Sequence, residues 1–415
     1  MSFFSDLIST VFERQYRSAS ERDHSGRSIE ELSEALLGSS GEVSGMTLAR
    51  HVLDRYAELD DDGKHAFFAF LTDQLGIDAE RVRTTLAAYE FAPTKATYRA
   101  FLAASEARRQ ELARRLNQVP GATGRLVEMR KDLLRLMRDA PELAVVDLDF
   151  RHLFASWFNR GFLVLRPINW DSPAGILEKI IAYEAVHEIG SWQELRGRVQ
   201  PEDRRCFAFF HPTMPNEPLI FVEVALTRGI ASSVQGVLSD KRDIIRADEA
   251  DTAVFYSISN CQDGLAGISF GNSLIKQVVA DLSRELPGLK TFITLSPIPG
   301  LSRWVTETDT KLPDDTSEQQ RQRAAYYLLK AKRGDGTPFD PVARFHLGNG
   351  ALVHAVHAGA DVSENGLAQS GGAMVNYLYD LSLITQNHER YASSQKIAAS
   401  SEVTALAKAA QKQTA

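Results

Sequence analysis

The chain has 415 residues, 44% hydrophobic and 24% charged, with a formal charge of −7. That balance excludes wholesale disorder and disfavours broad affinity for nucleic acid or an anionic membrane, and the length predicts two domains. Cys206 and Cys261 are too few for a disulfide framework and wrongly spaced for zinc. No apolar run approaches the ~20 residues of a membrane span, and the N-terminal stretch lacks a secretory pattern, so the cytoplasm is the expected compartment.

Residues 1–160 read as an all-α helical bundle. Ser28-Ile-Glu-Glu31 is a capping-box pattern that opens a helix closing at Gly38, and apolar residues then recur at three- and four-residue spacing, as at Leu126, Met129, Leu133, Leu134 and Met137. Broad apolar faces at Phe67, Phe68, Phe70 and Leu71, and at Leu133, Leu134 and Met137, predict that this domain mediates self-association. The pattern changes near Gly161. Ser172-Pro173 predicts a helix over AGILEKIIAYEAVHEI with proline in its first turn, and Ser191-Trp-Gln-Glu194 predicts a second capping box. Strand signals follow at 206–211, 218–226, 254–259 and 291–296, alternating with helices, so residues 161–415 read as an α/β domain with a buried central sheet. VARFHL and ALVHAV flank Gly348-Asn349-Gly350, which predicts a hairpin.

The stretch from Val254 to Gly300 concentrates the chemistry. A strand feeds a turn carrying Gly264, Gly267 and Gly271, the turn opens a helix, and a second strand ends at Ser296. Free backbone N–H groups at such a turn suit a phosphate, with Lys276 one turn further along the helix; equally, the glycines serve close helix–sheet packing. Ser296 precedes the rigid Pro297-Ile298-Pro299 segment, which suits either a turn former or a hydroxyl aimed at a bound carboxylate. No GxSxG elbow surrounds it. His346 falls at an expected strand end beside the NG turn, and His211 closes a strand beside two prolines. His354 and His357 would lie on opposite faces of a strand, which disfavours a metal pair. Glu223, inside LIFVEVAL, is expected to face solvent at an edge unless a partner accompanies it inside.

Together, HPTMPNEPLIFVEVALTRGIASSVQGVL, FYSISNCQDGLAGISFGNSLIKQVV, TLSPIPG, FHLGNGA and GAMVNYLY resemble the malonyl-CoA decarboxylase family, a likeness running from about residue 160 to 385 with a helical N-terminal domain to match. The resemblance implies an acyl-CoA-binding fold like that of the GNAT acetyltransferases. It puts Ser296 and His346 on the catalytic serine and histidine and Tyr379 on an active-site tyrosine. Ala266, Gly267, Ile268, Ser269, Phe270, Gly271 and Asn272 fall on the CoA-binding turn. Ser269 stands where some members carry glutamate, so no carboxylate role carries over. Malonyl-CoA would be the substrate and acetyl-CoA and CO2 the products, with no metal, biotin or pyridoxal phosphate, in a homo-oligomer of two or four subunits. Ser296 would hydrogen-bond the malonyl carboxylate, and His346, with an ordinary pKa near neutrality, would deliver the proton. The alternatives are a CoA-dependent acyltransferase and a non-enzymatic protein that senses acyl-CoA.

Overall fold

The computed structural model describes residues 26–268, 274–308 and 316–413. Its contacts divide the chain into two units: one runs up to Asn159 and takes in Gln262–Ile268, the other holds Arg160–Cys261 and the chain from Ser269 onward. Among the described residues no helix is long and apolar enough to cross a membrane.

Among the described residues of the first unit, regular structure is helical. Ser28 caps helix Ile29–Gly38 with both reciprocal bonds of the capping box, while Asp60 and Asp78 cap helices Asp61–Asp73 and Ala79–Phe91 through their carboxylates. Helices Lys95–Ser105 and Arg108–Leu116 follow, separated at Glu106, which leaves the helix and grips Arg114 with both carboxylate oxygens. Helices Ala122–Leu136 and Ala144–Trp157 complete the core, which buries Leu126, Leu133, Val146 and Phe154. Phe67, Phe68 and Leu71 lie in this core, so the stripes expected to face a partner subunit are largely consumed internally. Apolar surface is instead left on Ala79–Phe91 and Lys95–Ser105, where Leu86, Phe91, Tyr98 and Leu102 are exposed.

The second unit is a mixed sheet of strands β1 Val164–Ile168, β2 Arg204–His211, β3 Met214–Thr227, β4 Thr252–Asn260, β5 Thr291–Thr294, β6 Ser296–Pro297, β7 Leu352–His357 and β8 Met374–Leu378. Its order is β1-β2-β3-β4-β5-β8-β6, with β7 on β8. The first four strands are antiparallel, β4 and β5 run parallel, and β8 is antiparallel to β5, β6 and β7. Helices Ala174–Tyr183 and Trp192–Val199 cover one face through Ile176, Ile180 and Leu195, packed on Cys206, Ala208 and Phe221.

Three local expectations need correction. Pro173 is the N-cap residue of its helix rather than its first turn, and the helix stops at Tyr183, where Glu184 turns its carboxylate back onto the amides of Val186 and His187. At Ser191 only half of the capping box forms, since Glu194 reaches Gly190 N–H instead of that of Ser191. VARFHL is a helix, Pro341–Gly348, and not a hairpin arm. Asp340 caps it with Pro341 at the first position, a start signal that outweighs the NG turn, and Ala343, His346 and Leu347 bury one helical face. β7 consequently pairs with β8.

Candidate active site

Thr294 closes β5 and Ser296 begins β6, so two residues of strand spacing put their hydroxyls side by side. Ser296 O–H donates to Thr294 Oγ1 at 2.8 Å, and Thr294 Oγ1 also accepts from Tyr377 N–H at 3.1 Å. From helix Pro341–Gly348, His346 brings Nε2 to 3.2 Å from Ser296 Oγ. Its Nδ1 lies 2.7 Å from the Tyr379 hydroxyl, just beyond the end of β8. A serine has one hydroxyl proton. With that proton committed to Thr294, the Nε2 contact is served by Nε2–H, and Tyr379 O–H donates to Nδ1. The imidazole also stacks on the Tyr377 ring, with centroids 4.5 Å apart.

This chain of hydroxyl, imidazole and phenol is buried: Ser296 is 6% exposed, His346 2% and Tyr379 1%. Burial alone pushes the His346 imidazole down to about 3 and raises the Tyr379 phenol well above its ordinary value. The expectation that His346 keeps an ordinary pKa therefore fails: among the described residues no anion faces it to offset desolvation, and it rests neutral. Its position is also corrected, from a strand end to a buried helical face.

Asp340 holds the two halves of the site together, a role the sequence reading missed. Its carboxylate accepts from Val342 and Ala343 N–H at the start of the histidine's helix, from Gly300 N–H after the Pro-Ile-Pro segment, and from the Tyr327 hydroxyl. Desolvation raises its pKa against those bonds. A Cβ on Gly300 would fall 2.1 Å from the Tyr327 hydroxyl oxygen, which keeps that position glycine. The signal was present as Asp-Pro at a helix start; Thr294 was likewise signalled by its two-residue offset from Ser296.

The proposed phosphate turn is only partly described. Ser269, Phe270, Gly271 and Asn272 lie outside the described residues. Ala266, Gly267 and Ile268 belong by their contacts to the helical unit, whereas half-buried Lys276, in helix Leu274–Glu285, belongs to the α/β unit. Ala266 and Ile268 N–H are closed onto the carbonyls of Asp263 and Leu265, so these two amides are not free as the turn reading required. Gly267, at φ 73°, has no such bond among the described residues. Gly264 is a packing glycine: a Cβ there would meet the Val127 carbonyl oxygen at 1.9 Å.

Glu223 departs from expectation, whereas His211 ends its strand as the sequence predicts. Glu223 is fully buried, because β3 is interior between β2 and β4 and two helices cover its face; Arg198 pairs with it at 3.0 Å. His211 closes a turn, its Nδ1 2.7 Å from Thr213 Oγ1.

An all-helical unit joined to an α/β unit with a buried serine–histidine–tyrosine chain defines a class of two-domain enzyme-like proteins, and relatives make that class specific. The family model described as malonyl-CoA decarboxylase C-terminal domain matches residues 161–323 and 307–415, and its N-terminal counterpart matches 75–158. A crystal structure of malonyl-CoA decarboxylase from Rhodopseudomonas palustris is 48% identical, with a TM-score of 0.86 over 90% of this chain and 98% of that one. That from Agrobacterium vitis is 49% identical, with a TM-score of 0.85 over 91% and 99%. The mitochondrial malonyl-CoA decarboxylase of Anser anser anser is 34% identical over 346 residues, 71% of this chain and 68% of its own length. The chain belongs to the malonyl-CoA decarboxylase family.

Proposed function

We infer that this protein is a carboxy-lyase converting malonyl-CoA to acetyl-CoA and CO2, with Ser296, His346 and Tyr379 as its catalytic residues. The observation that carries the residue assignment is the buried chain Tyr379–His346–Ser296, assembled from three separate elements. In malonyl-CoA the carboxylate is β to a thioester carbonyl. When CO2 leaves, the C–C electron pair passes into that carbonyl as an enolate, so the substrate supplies its own electron sink and neither metal, biotin nor pyridoxal phosphate is needed.

Each residue then has a task. Ser296 exchanges its bond to Thr294 for one to the malonyl carboxylate and orients it. The arriving anion stabilises a protonated imidazole and lifts the depressed pKa of His346, so a proton is taken up with substrate. Nε2 already carries a hydrogen, so the proton taken up sits on Nδ1, where the Tyr379 hydroxyl turns from donor to acceptor; as CO2 departs, Nε2–H passes its proton to the α-carbon, giving acetyl-CoA and neutral imidazole. Tyr379 fixes the ring so that Nε2 faces Ser296. The phosphates of CoA bind at the turn from Ala266 to Asn272 and at Lys276. We also propose that the protein is a cytoplasmic homo-oligomer assembled through the helical unit, whose exposed Leu86, Phe91, Tyr98 and Leu102 form the apolar surface for it.

The test is to incubate the purified protein with malonyl-CoA alone. Release of acetyl-CoA and CO2 is expected; malonyl-CoA that stays intact until an amine acceptor is added would show an acyltransferase instead. Sedimentation of the full chain checks the assembly, and a monomer would rule it out.

A further inference from the structure

The amide left free at Gly267 has a physical cause. Arg130 is 1% exposed; its Nε is 2.7 Å from Asp147 Oδ1, and its Nη1 donates to the carbonyls of Gly264 at 2.7 Å and Ala266 at 3.0 Å. In a trans peptide the carbonyl and the following N–H point in opposite directions. Pinning Ala266 C=O onto the buried guanidinium therefore turns Gly267 N–H away from the helices, at a point where Ala266 and Gly267 are exposed. The positive φ of Gly267 permits that turn without strain.

A second arginine lies beside the same peptide. Arg151, exposed on helix Ala144–Trp157, has its guanidinium carbon 3.8 Å from where a Cβ on Gly267 would stand. The neighbouring cations are balanced: Arg130 by Asp147, and Lys131 by Glu128 and Asp263. Arg151 has no ion pair or hydrogen bond among the described residues. An outward amide beside an unpaired guanidinium fork is a donor set that matches phosphate oxygens.

We propose that Arg151, with the Gly267 amide, binds a phosphate group of the CoA moiety. This rests on the reading of the turn as the CoA-binding element. Arg151 is then a binding residue, and Arg130 is the positioning residue that aims the amide.

The experiment compares malonyl-CoA with malonyl-pantetheine, which carries the same thioester but no phosphate. In Arg151→Gln the preference in kcat/KM for malonyl-CoA should fall about tenfold, the effect of one charge-assisted bond at an exposed site. The salt dependence of KM for malonyl-CoA should flatten, and Arg151→Lys should restore that slope. An unchanged preference, or equal losses on both substrates, would overturn the proposal. Gly271→Asp in the same assay separates two kinds of failure. A preference lost there but kept in Arg151→Gln removes the arginine alone; a preference kept in both removes the turn as well.

Discussion

The α/β unit buries two polar clusters of opposite character. Between β3 and helix Trp192–Val199, Arg198 faces Glu223 at 3.0 Å and donates to the Glu188 carbonyl, while the nearby Glu184 carboxylate is closed by the Ser257 hydroxyl and two backbone amides. At the ends of β5 and β8, Ser296, His346 and Tyr379 make a chain with no ionised member. Charges taken out of water must be held against a partner or their desolvation goes uncompensated, so the first cluster is locked. Neutral groups carry a smaller penalty and keep protons that can be redirected when an anion arrives. Similar burial thus yields a clamp in one place and a responsive site in the other.

The contrast is sharpest in kinetics. His346→Asn should lower kcat about a thousandfold, within the usual reach of general acid catalysis, while CoA affinity measured by calorimetry stays near wild type. A change in KM alone would make His346 a binding residue. Arg198→Met should act on the other observable, costing about 3 kcal/mol in denaturant unfolding because Glu223 is left buried and unpaired, while turnover of the folded enzyme persists. If Arg198→Met abolished turnover without destabilising the fold, the division between clamp and site would be wrong. Ser296→Ala should reduce kcat about a hundredfold with cooperative unfolding retained, since one donor and little volume are removed. Tyr379→Phe should lower kcat about tenfold, as it frees the ring but removes no reacting group; wild-type turnover would strike Tyr379 from the catalytic set.

The smallest effect is in pH, where the two clusters have opposite signs. Burial raises the Glu223 carboxyl to about 7 despite Arg198. The fold therefore binds a proton there that the unfolded chain has released. That contribution to stability is full below the carboxyl's ordinary range and is lost as pH rises through 7. His346, held at about 3, does the reverse: its contribution is full above the ordinary imidazole value and is lost as pH falls toward 3. Subtracting the Tm profile of Glu223→Gln from that of the wild type between pH 5 and 7 should leave a falling curve. Free-enzyme kcat/KM should show no break near 6.5 that disappears in His346→Asn.

Much of the site was legible in order along the chain. Ser296, His346 and Tyr379 are separated by 50 and 33 residues; the first two were singled out by local pattern and the tyrosine by the family resemblance, and all three meet in the structure. The partners were less legible. Thr294 has strand spacing from Ser296, but nothing local says that a serine proton will be committed to it. Asp340 announces a helix start, yet its bonds to Gly300 and Tyr327 depend on folding across 40 and 13 residues. Arg130 and Arg151 are ordinary helix-surface residues by pattern, and only contacts across more than a hundred positions bring them to Gly264–Gly267.

By itself the sequence determined the elements whose signals are local: the periodic helices before Asn159, the strands rich in β-branched and aromatic residues, the cap at Ser28, and the motifs that mark the family. Hydrophobic period and side-chain-to-backbone bonds act over a few residues, and so they can be read there. Tertiary structure alone decided that Glu223 lies inside, that VARFHL is a helix delivering His346, and that the turn after β4 packs with the helical unit. It also decided that His346 is neutral. Burial and protonation depend on what surrounds a group in three dimensions, and a dielectric environment has no local signature in the chain.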